Sequence, residues 1–280
     1  MIDKGLILEG GGMRGIYTAG VLDSLLDRGL HFKHIYGVSA GACHGCSYVS
    51  KQRGRAAGTV LDFLRDHRYG SFRNLVFTGD YFGVKFVYGD VPDRLLPFDY
   101  AAFMESGQTL FAVVTNMETG QAEYTPLSEL KRDMDRLRAS ASLPLISRLV
   151  KFDGKIYLDG GIADSIPLAK SVADGHSENL VVLTRPKGYQ RRPNTSKVIR
   201  LAYRKYPSFV QTSEQRHIFY NDSLRLVEDE VRANRALVIQ PSVDIKVGRL
   251  DKNEKRLRAF YDVGYSDAER CVSENDSFFN

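Results

Sequence analysis

Apolar residues along this chain come in two rhythms. Gly5-Leu6-Ile7-Leu8-Glu9, Thr109 to Thr115, Leu180 to Thr184 and Ala236 to Gln240 are short continuous apolar runs and read as buried strands. His31 to Tyr36 has strand-like content as well. Between these runs the apolar positions take helical spacing. Ile16, Ala19, Val21, Leu22, Leu25 and Leu26 mark a first helix, which Gly29 closes. Helices are expected at Ala40 to Lys51, Ala56 to Asp66, Ser196 to Tyr206, Ser208 to Asn234 and Asn253 to Glu274, and a charged one with a solvated face at Glu129 to Ala139. Val150-Lys151-Phe152 and Lys155 to Leu158 flank Asp153-Gly154, the signature of a hairpin with a type I′ turn. Glu118-Thr119-Gly120 turns, and Glu123-Tyr124 is read as a returning edge strand. Arg68 to Phe103 has no clean period; its aromatics and glycines predict loops and short elements covering a site.

Strands alternate with helices, so the pattern predicts one α/β/α domain over residues 1–280, three-layered with a mostly parallel central sheet. Residues 171–280 are expected to complete the sheet and add helices. No internal repeat or low-complexity linker interrupts the chain.

Composition changes this picture little. Of 280 residues 43% are hydrophobic and 26% charged, and a chain of this length buries about three quarters of its unfolded surface. No run approaches the roughly 18 apolar residues of a membrane span. The start, Met1-Ile2-Asp3-Lys4-Gly5, has no basic region leading into a long apolar stretch, so no signal peptide is expected. Three cysteines, an odd number, point to a reduced cytoplasmic protein. Cys43 and Cys46 have redox or metal spacing, but with no second pair they read as helix packing. The net charge of +5 is concentrated. Arg185, Lys187, Arg191, Arg192, Lys197, Arg200, Arg204 and Lys205 fall within residues 185–205 without one acid, so the remainder is net negative. Tyr189, Tyr203, Tyr206 and Phe209 are interleaved. This segment reads either as a solvated loop and helix face or as a contact with anionic lipid, with those rings at headgroup level.

Chemistry enters at Gly37-Val38-Ser39-Ala40-Gly41. G-x-S-x-G between a strand and a helix is the nucleophile elbow, which pushes the serine hydroxyl out of the fold; an ordinary Gly-Ser turn is the plainer reading. The loop Gly10-Gly11-Gly12-Met13-Arg14-Gly15 admits three readings. It fits the dinucleotide fingerprint G-x-G-x-x-G, yet the second strand ends without the ribose-binding acid. It lacks the Lys and Ser/Thr of a P-loop. As successive backbone N–H groups at a helix start, it makes an oxyanion hole. First strand, loop, helix and elbow form a βαβ unit that puts loop and elbow at the same sheet edge. A base is still needed. The histidines are His31, His34, His44, His67, His176 and His217. The α/β-hydrolase order Ser, acid, His would suit Asp159 with His176 or His217, but only one strand precedes the elbow strand, too few for that topology. Asp159, at the end of the hairpin, must lie at a strand end near the elbow. Arg14 reads as a surface residue at a helix start or as part of the glycine loop's machinery.

Gly10-Gly11-Gly12-Met13-Arg14-Gly15, Gly37-Val38-Ser39-Ala40-Gly41 and Asp159-Gly160-Gly161 stand in the order and spacing of the patatin-like phospholipase family, which the chain resembles over residues 5 to about 170. The resemblance implies lipolytic acyl hydrolysis by a Ser–Asp dyad without histidine. Carried over, Ser39 is the nucleophile and Asp159 the base. The N–H groups of Gly10, Gly11 and Gly12 form the oxyanion hole, and Arg14, Gly15, Gly37, Gly41, Gly160 and Gly161 support the motifs. It implies an acyl ester of a lipid as substrate, and chemistry that needs no cofactor and no metal. A cytoplasmic protein, peripheral to the membrane at most through residues 185–205 and without a nucleic-acid partner, is the expectation from cysteines and charge. Two other classes remain: a dinucleotide-dependent oxidoreductase using Gly10 to Gly15, and a catalytically silent adaptor on membrane or nucleic acid.

Overall fold

In the computed structural model residues 1–194 and 196–279 are described; Thr195, inside the basic run, and Asn280 lie outside it. Strands β1 (Ile2–Leu8), β2 (Phe32–Val38), β3 (Thr109–Asn116), β4 (Ala122–Leu127), β5 (Val150–Phe152), β6 (Lys155–Asp159), β7 (Asn179–Val182) and β8 (Ala236–Ile239) form one sheet. The pairings β1–β2, β1–β7, β2–β3 and β7–β8 are parallel; β3–β4, β3–β6 and β5–β6 are antiparallel. The sheet is thus mostly parallel. Its central strands are continuous apolar runs because both faces are covered. Leu6 and Leu8 of β1 point into one core cluster and Ile7 into another.

Helices α1 (Ile16–Asp27), α2 (Ala40–Val49) and α3 (Arg55–Leu61) pack on the first face. The covering segment that follows contains α4 (Phe72–Thr78), a π-helical stretch Phe86–Leu95 and α5 (Tyr100–Glu105). Next come α6 (Met134–Ser140), α7 (Leu168–Ala173), α8 (Lys197–Ala202), α9 (Pro207–Arg232) and α10 (Glu254–Glu274). α10 returns to the first face against α1, while α9 and the residues leading into α7 fill the second.

Three expected helices are shorter or differently placed. The helix expected at 129–139 starts only at Met134. The Asp133 carboxylate accepts the backbone N–H groups of Ser128 (2.8 Å) and Glu129 (2.9 Å), and that local loop competes with helix. The helix at 56–66 ends at Leu61 and passes into turns. The one at 196–206 ends at Ala202. Asp153 (φ 47°) and Gly154 (φ 74°) both take positive φ, as a type I′ turn requires.

The rings of the basic run are turned inward to different degrees. Tyr203 and Phe209 are buried with Met117, Leu158 and Ile162, and Tyr206 packs on the same cluster. Tyr189 lies edge-on to Tyr220. Tyr203 and Phe209, two of the four expected headgroup anchors, are thus core residues, while Tyr189 and Tyr206 are half-buried.

One feature of the sheet positions the site. β3 has two edges. β4 occupies one, from Leu110 to Thr115. β2 and β6 divide the other: β2 pairs with His34↔Thr109 through Val38↔Val113, and β6 takes over at Val114↔Asp159 through Asn116↔Tyr157. β2 and β6 therefore run head-on along the same edge. Ser39 follows the tip of one, and Asp159 is the tip of the other.

Candidate active site

At the tip of β2 the chain turns straight into α2. Ser39 takes φ 54° and ψ −119°, a strained region for a residue with a side chain. The turn leaves no space at its glycines. A Cβ on Gly37 would lie 2.6 Å from the Ala42 backbone, and one on Gly41 would lie 2.5 Å from the Leu8 carbonyl oxygen. The glycine loop Gly10 to Gly15 runs alongside, and a Cβ built on Gly10 would sit 3.2 Å from that of Ser39. Gly12–Gly15 winds into a 3-10 turn that leads into α1. Among the described residues no hydrogen bond uses the N–H of Gly10, Gly11 or Gly12. Three consecutive donors thus stand unengaged beside Ser39.

Asp159 arrives from the opposite direction. Its Oδ1 accepts the Gly161 N–H at 2.8 Å, and its own N–H donates to the Ser142 carbonyl at 2.8 Å. Oδ2 is buried with no geometrically formed hydrogen bond. The Ser39 hydroxyl nevertheless lies close enough to favour the carboxylate form. Burial raises the Asp159 pKa above its ordinary value; Arg216, the Ser39 hydroxyl, the Gly161 N–H and Arg249 oppose that push without cancelling it. Ser39 is 5% exposed and Asp159 2%.

A segment the sequence did not single out holds both. Ser140, at the end of α6, accepts the Ser39 N–H on its Oγ at 2.9 Å, and Ser142 holds Asp159. Residues 140–142 thus clasp nucleophile elbow and aspartate together. Their only signal in the sequence is a run of small residues before Pro144.

Two cavities meet at Ser39. One is apolar, with Tyr69, Phe82, Val87, Tyr88, Val91 and Phe98 of the covering segment in its wall. The covering expected of residues 68–103 is therefore real. Cys43 and Cys46 also line this cavity, and burial pushes the Cys43 thiol up to about 12. The second cavity is polar and contains Ser39, Asp159, Gly10 to Gly12 and Arg14. Arg14 is only 6% exposed, which removes the surface reading. Arg191, Arg216 and Arg249 join it there; sequence reasoning missed them as site residues.

No histidine lines the cleft that holds Ser39 and Asp159. His176 packs against His34 with ring centroids 4.3 Å apart, on the half of β2 away from Ser39. His217 borders a neighbouring cavity and its Nδ1 lies 3.0 Å from the Glu214 carbonyl. His44, on α2, is buried and pushed down to about 4, so it packs as a neutral ring. Among the described residues no group of three or more His, Cys, Asp or Glu is arranged to hold a metal, and no helix is long and apolar enough to cross a membrane.

Comparison with known proteins finds similarity along most of the chain. The family model described as patatin-like phospholipase matches residues 6–170, and one described as a domain of unknown function (DUF6363) matches residues 206–280. "Uncharacterized protein YjjU" of Escherichia coli (strain K12) is 26% identical over 268 residues, 92% of this chain and 74% of that protein. "1-acylglycerol-3-phosphate O-acyltransferase Pnpla3" of Mus musculus is 29% identical over 174 residues, 58% of this chain but only 40% of the mouse protein. "Lysophospholipase nte1" of Emericella nidulans is 31% identical over 180 residues, 59% of this chain and 11% of the fungal protein.

Proposed function

The chain belongs to the patatin-like phospholipase family, and from that premise we propose that it is a cytoplasmic lipolytic acyl hydrolase in which Ser39 is the nucleophile and Asp159 its base. The observation that carries this reading is the head-on meeting of β2 and β6, which sets Ser39 and Asp159 at facing tips beside three unengaged N–H groups. Asp159 takes the Ser39 proton as Oγ attacks the ester carbonyl. The N–H groups of Gly10, Gly11 and Gly12 receive the oxyanion, each such donor being worth about 3–4 kcal/mol. Collapse of the tetrahedral intermediate expels the alcohol, which takes the proton back from Asp159. Asp159 then deprotonates water, which attacks the acyl-enzyme; the fatty acid leaves and Ser39 regains its proton. The apolar cavity ending at Ser39 suits the acyl chain.

The mouse relative is named an acyltransferase and the fungal one a lysophospholipase. Both names fit one acyl-enzyme, relieved by an acceptor hydroxyl or by water. The dinucleotide reading has nothing behind it, since the end of β2 that would carry an acid carries Ser39.

Labelling with a fluorophosphonate tests the assignment. Wild type is expected to be modified at Ser39 and to cleave a p-nitrophenyl acyl ester, and a folded Ser39→Ala protein to do neither. Unchanged turnover in folded Ser39→Ala would sink it.

A further inference from the structure

The polar cleft beside Ser39 is walled by four arginines: Arg14, Arg191, Arg216 and Arg249. Surface arginines of this chain are commonly ion-paired, yet among the described residues none of these four forms a salt bridge. The Nε atoms of Arg14 and Arg216 are buried without a hydrogen-bond partner, and Arg14 is 94% buried by its 6% exposure. Such groups are costly to leave unmet. Two acids share the cleft, Glu9 and Asp159. Glu9 is fully engaged elsewhere: it accepts the Thr184 N–H (2.5 Å), the Thr184 hydroxyl (3.0 Å) and the Tyr220 hydroxyl (2.7 Å).

Resting on the hydrolase reading, we propose that this cleft is a phosphate subsite, and that the enzyme selects lipid esters bearing a phosphate monoester headgroup. Formal charges support the choice. Four guanidinium groups against two carboxylates leave +2, and a phosphate monoester carries about −1.5 to −2 near neutral pH. The subsite is built in advance. Asn221 pins the backbone of Arg191 through its N–H (2.9 Å) and its carbonyl (3.1 Å), and the Arg191 guanidinium lies 5.2 Å over the Tyr220 ring. The Arg249 carbonyl accepts the Met13 N–H at 3.0 Å, tying its loop to the glycine loop. Burial and then neighbouring arginines push Arg14 down to about 10 and Arg216 to about 9. Both stay charged, and a bound anion relieves that crowding.

Geometry orders the substrate. The apolar cavity and the arginine cleft share Gly12, Ser39 and Leu143. A carbonyl at Ser39 thus sends its acyl chain one way and its phosphate the other.

The test compares kcat/KM on a monoacylglycerol phosphate and on the matching uncharged monoacylglycerol. Wild type is expected to prefer the phosphate ester tenfold or more. Arg249→Gln, on an exposed loop, and Arg216→Gln are each expected to lose at least tenfold more on the phosphate ester than on the neutral one. Arg73→Gln, outside the cleft, serves as the lost-charge control and should match wild type. Inorganic phosphate should compete with the phosphate ester, and less well in the two cleft variants. Equal losses on both esters, or no preference in wild type, overturn the subsite while leaving the hydrolase intact. Inhibition by phosphate without preference for the phosphate ester makes it a free-anion site and overturns the headgroup assignment. A folded wild type that cleaves neither ester overturns the hydrolase reading, and this inference with it.

Discussion

Asp159 is a carboxylate that folding carries into a buried place, where its charge is held at a cost. Burial raises its pKa even with Arg216 facing it, so folding costs the carboxylate more than it would cost a neutral isostere. The sign follows from linkage. A raised pKa contributes stability below the unfolded value of 3.8, and that contribution is lost as pH rises through the folded value. Asp159→Asn should therefore melt higher than wild type at pH 7, with the gap closing below about pH 4; a thermal melt series over pH decides, and a variant that melts lower at pH 7 would contradict it. The same variant should lose on the order of 10²–10⁴-fold in kcat/KM, because an amide cannot take the Ser39 proton. His176→Ala should be mild, since its ring stacks on His34 away from the site. A comparable loss at a histidine would mean a triad. Ser39 and Asp159 were legible because each sits in a turn whose glycines are forced by local sterics. Arg216 was not: it lies in a long, charged helix where arginine ordinarily means a solvated face.

At the scale of elements, the basic run 185–205 divides its labour. Arg191 lines the cleft, Arg200 pairs with Glu214, and Arg185 stacks over Tyr189 at 4.4 Å. Lys187, Arg192, Lys197, Arg204 and Lys205 remain exposed. At about 1 kcal/mol per cation near an anionic surface, the attraction is about 5 rather than 8 kcal/mol. With the rings turned inward, the apolar contact available is Val198 (60% exposed) and Leu201 (69%) on α8. We expect co-sedimentation with phosphatidylglycerol vesicles at low salt and little with phosphatidylcholine, weakened by Val198→Ser with Leu201→Ser. Equal binding to both lipids, or none, would leave α8 as plain surface. Strands and the long helices were readable from their period. The interior role of the run's aromatics was not, because a ring beside cations gives the same pattern whether it faces lipid or packs on β6. Nor was the head-on approach of β2 and β6, since nothing local in either strand records which edge of β3 it shares.

Taken whole, the molecule draws its site from the length of the chain. β8 pairs with β7, α9 brings Arg216, and α10 lies on α1 so closely that a Cβ on Gly264 would sit 2.2 Å from the Tyr17 carbonyl oxygen. The Tyr17 hydroxyl donates to Asp267 at 3.0 Å and that of Tyr261 to Asp23 at 2.7 Å. We propose on these contacts that residues 1–280 unfold as one unit, although two family models divide them. Gly264→Ala should cost about 1–3 kcal/mol, and about 2–4 °C per kcal/mol in a single melt. A stable, labelled fragment ending before residue 206 would show two independent domains instead. The head-on strands carry a consequence in time as well. Translation delivers the glycine loop and Ser39 first, Asp159 some 120 residues later, and Arg216 and Arg249 near the end. On the proposed chemistry the nascent chain holds a nucleophile with no base to arm it until the hairpin has closed.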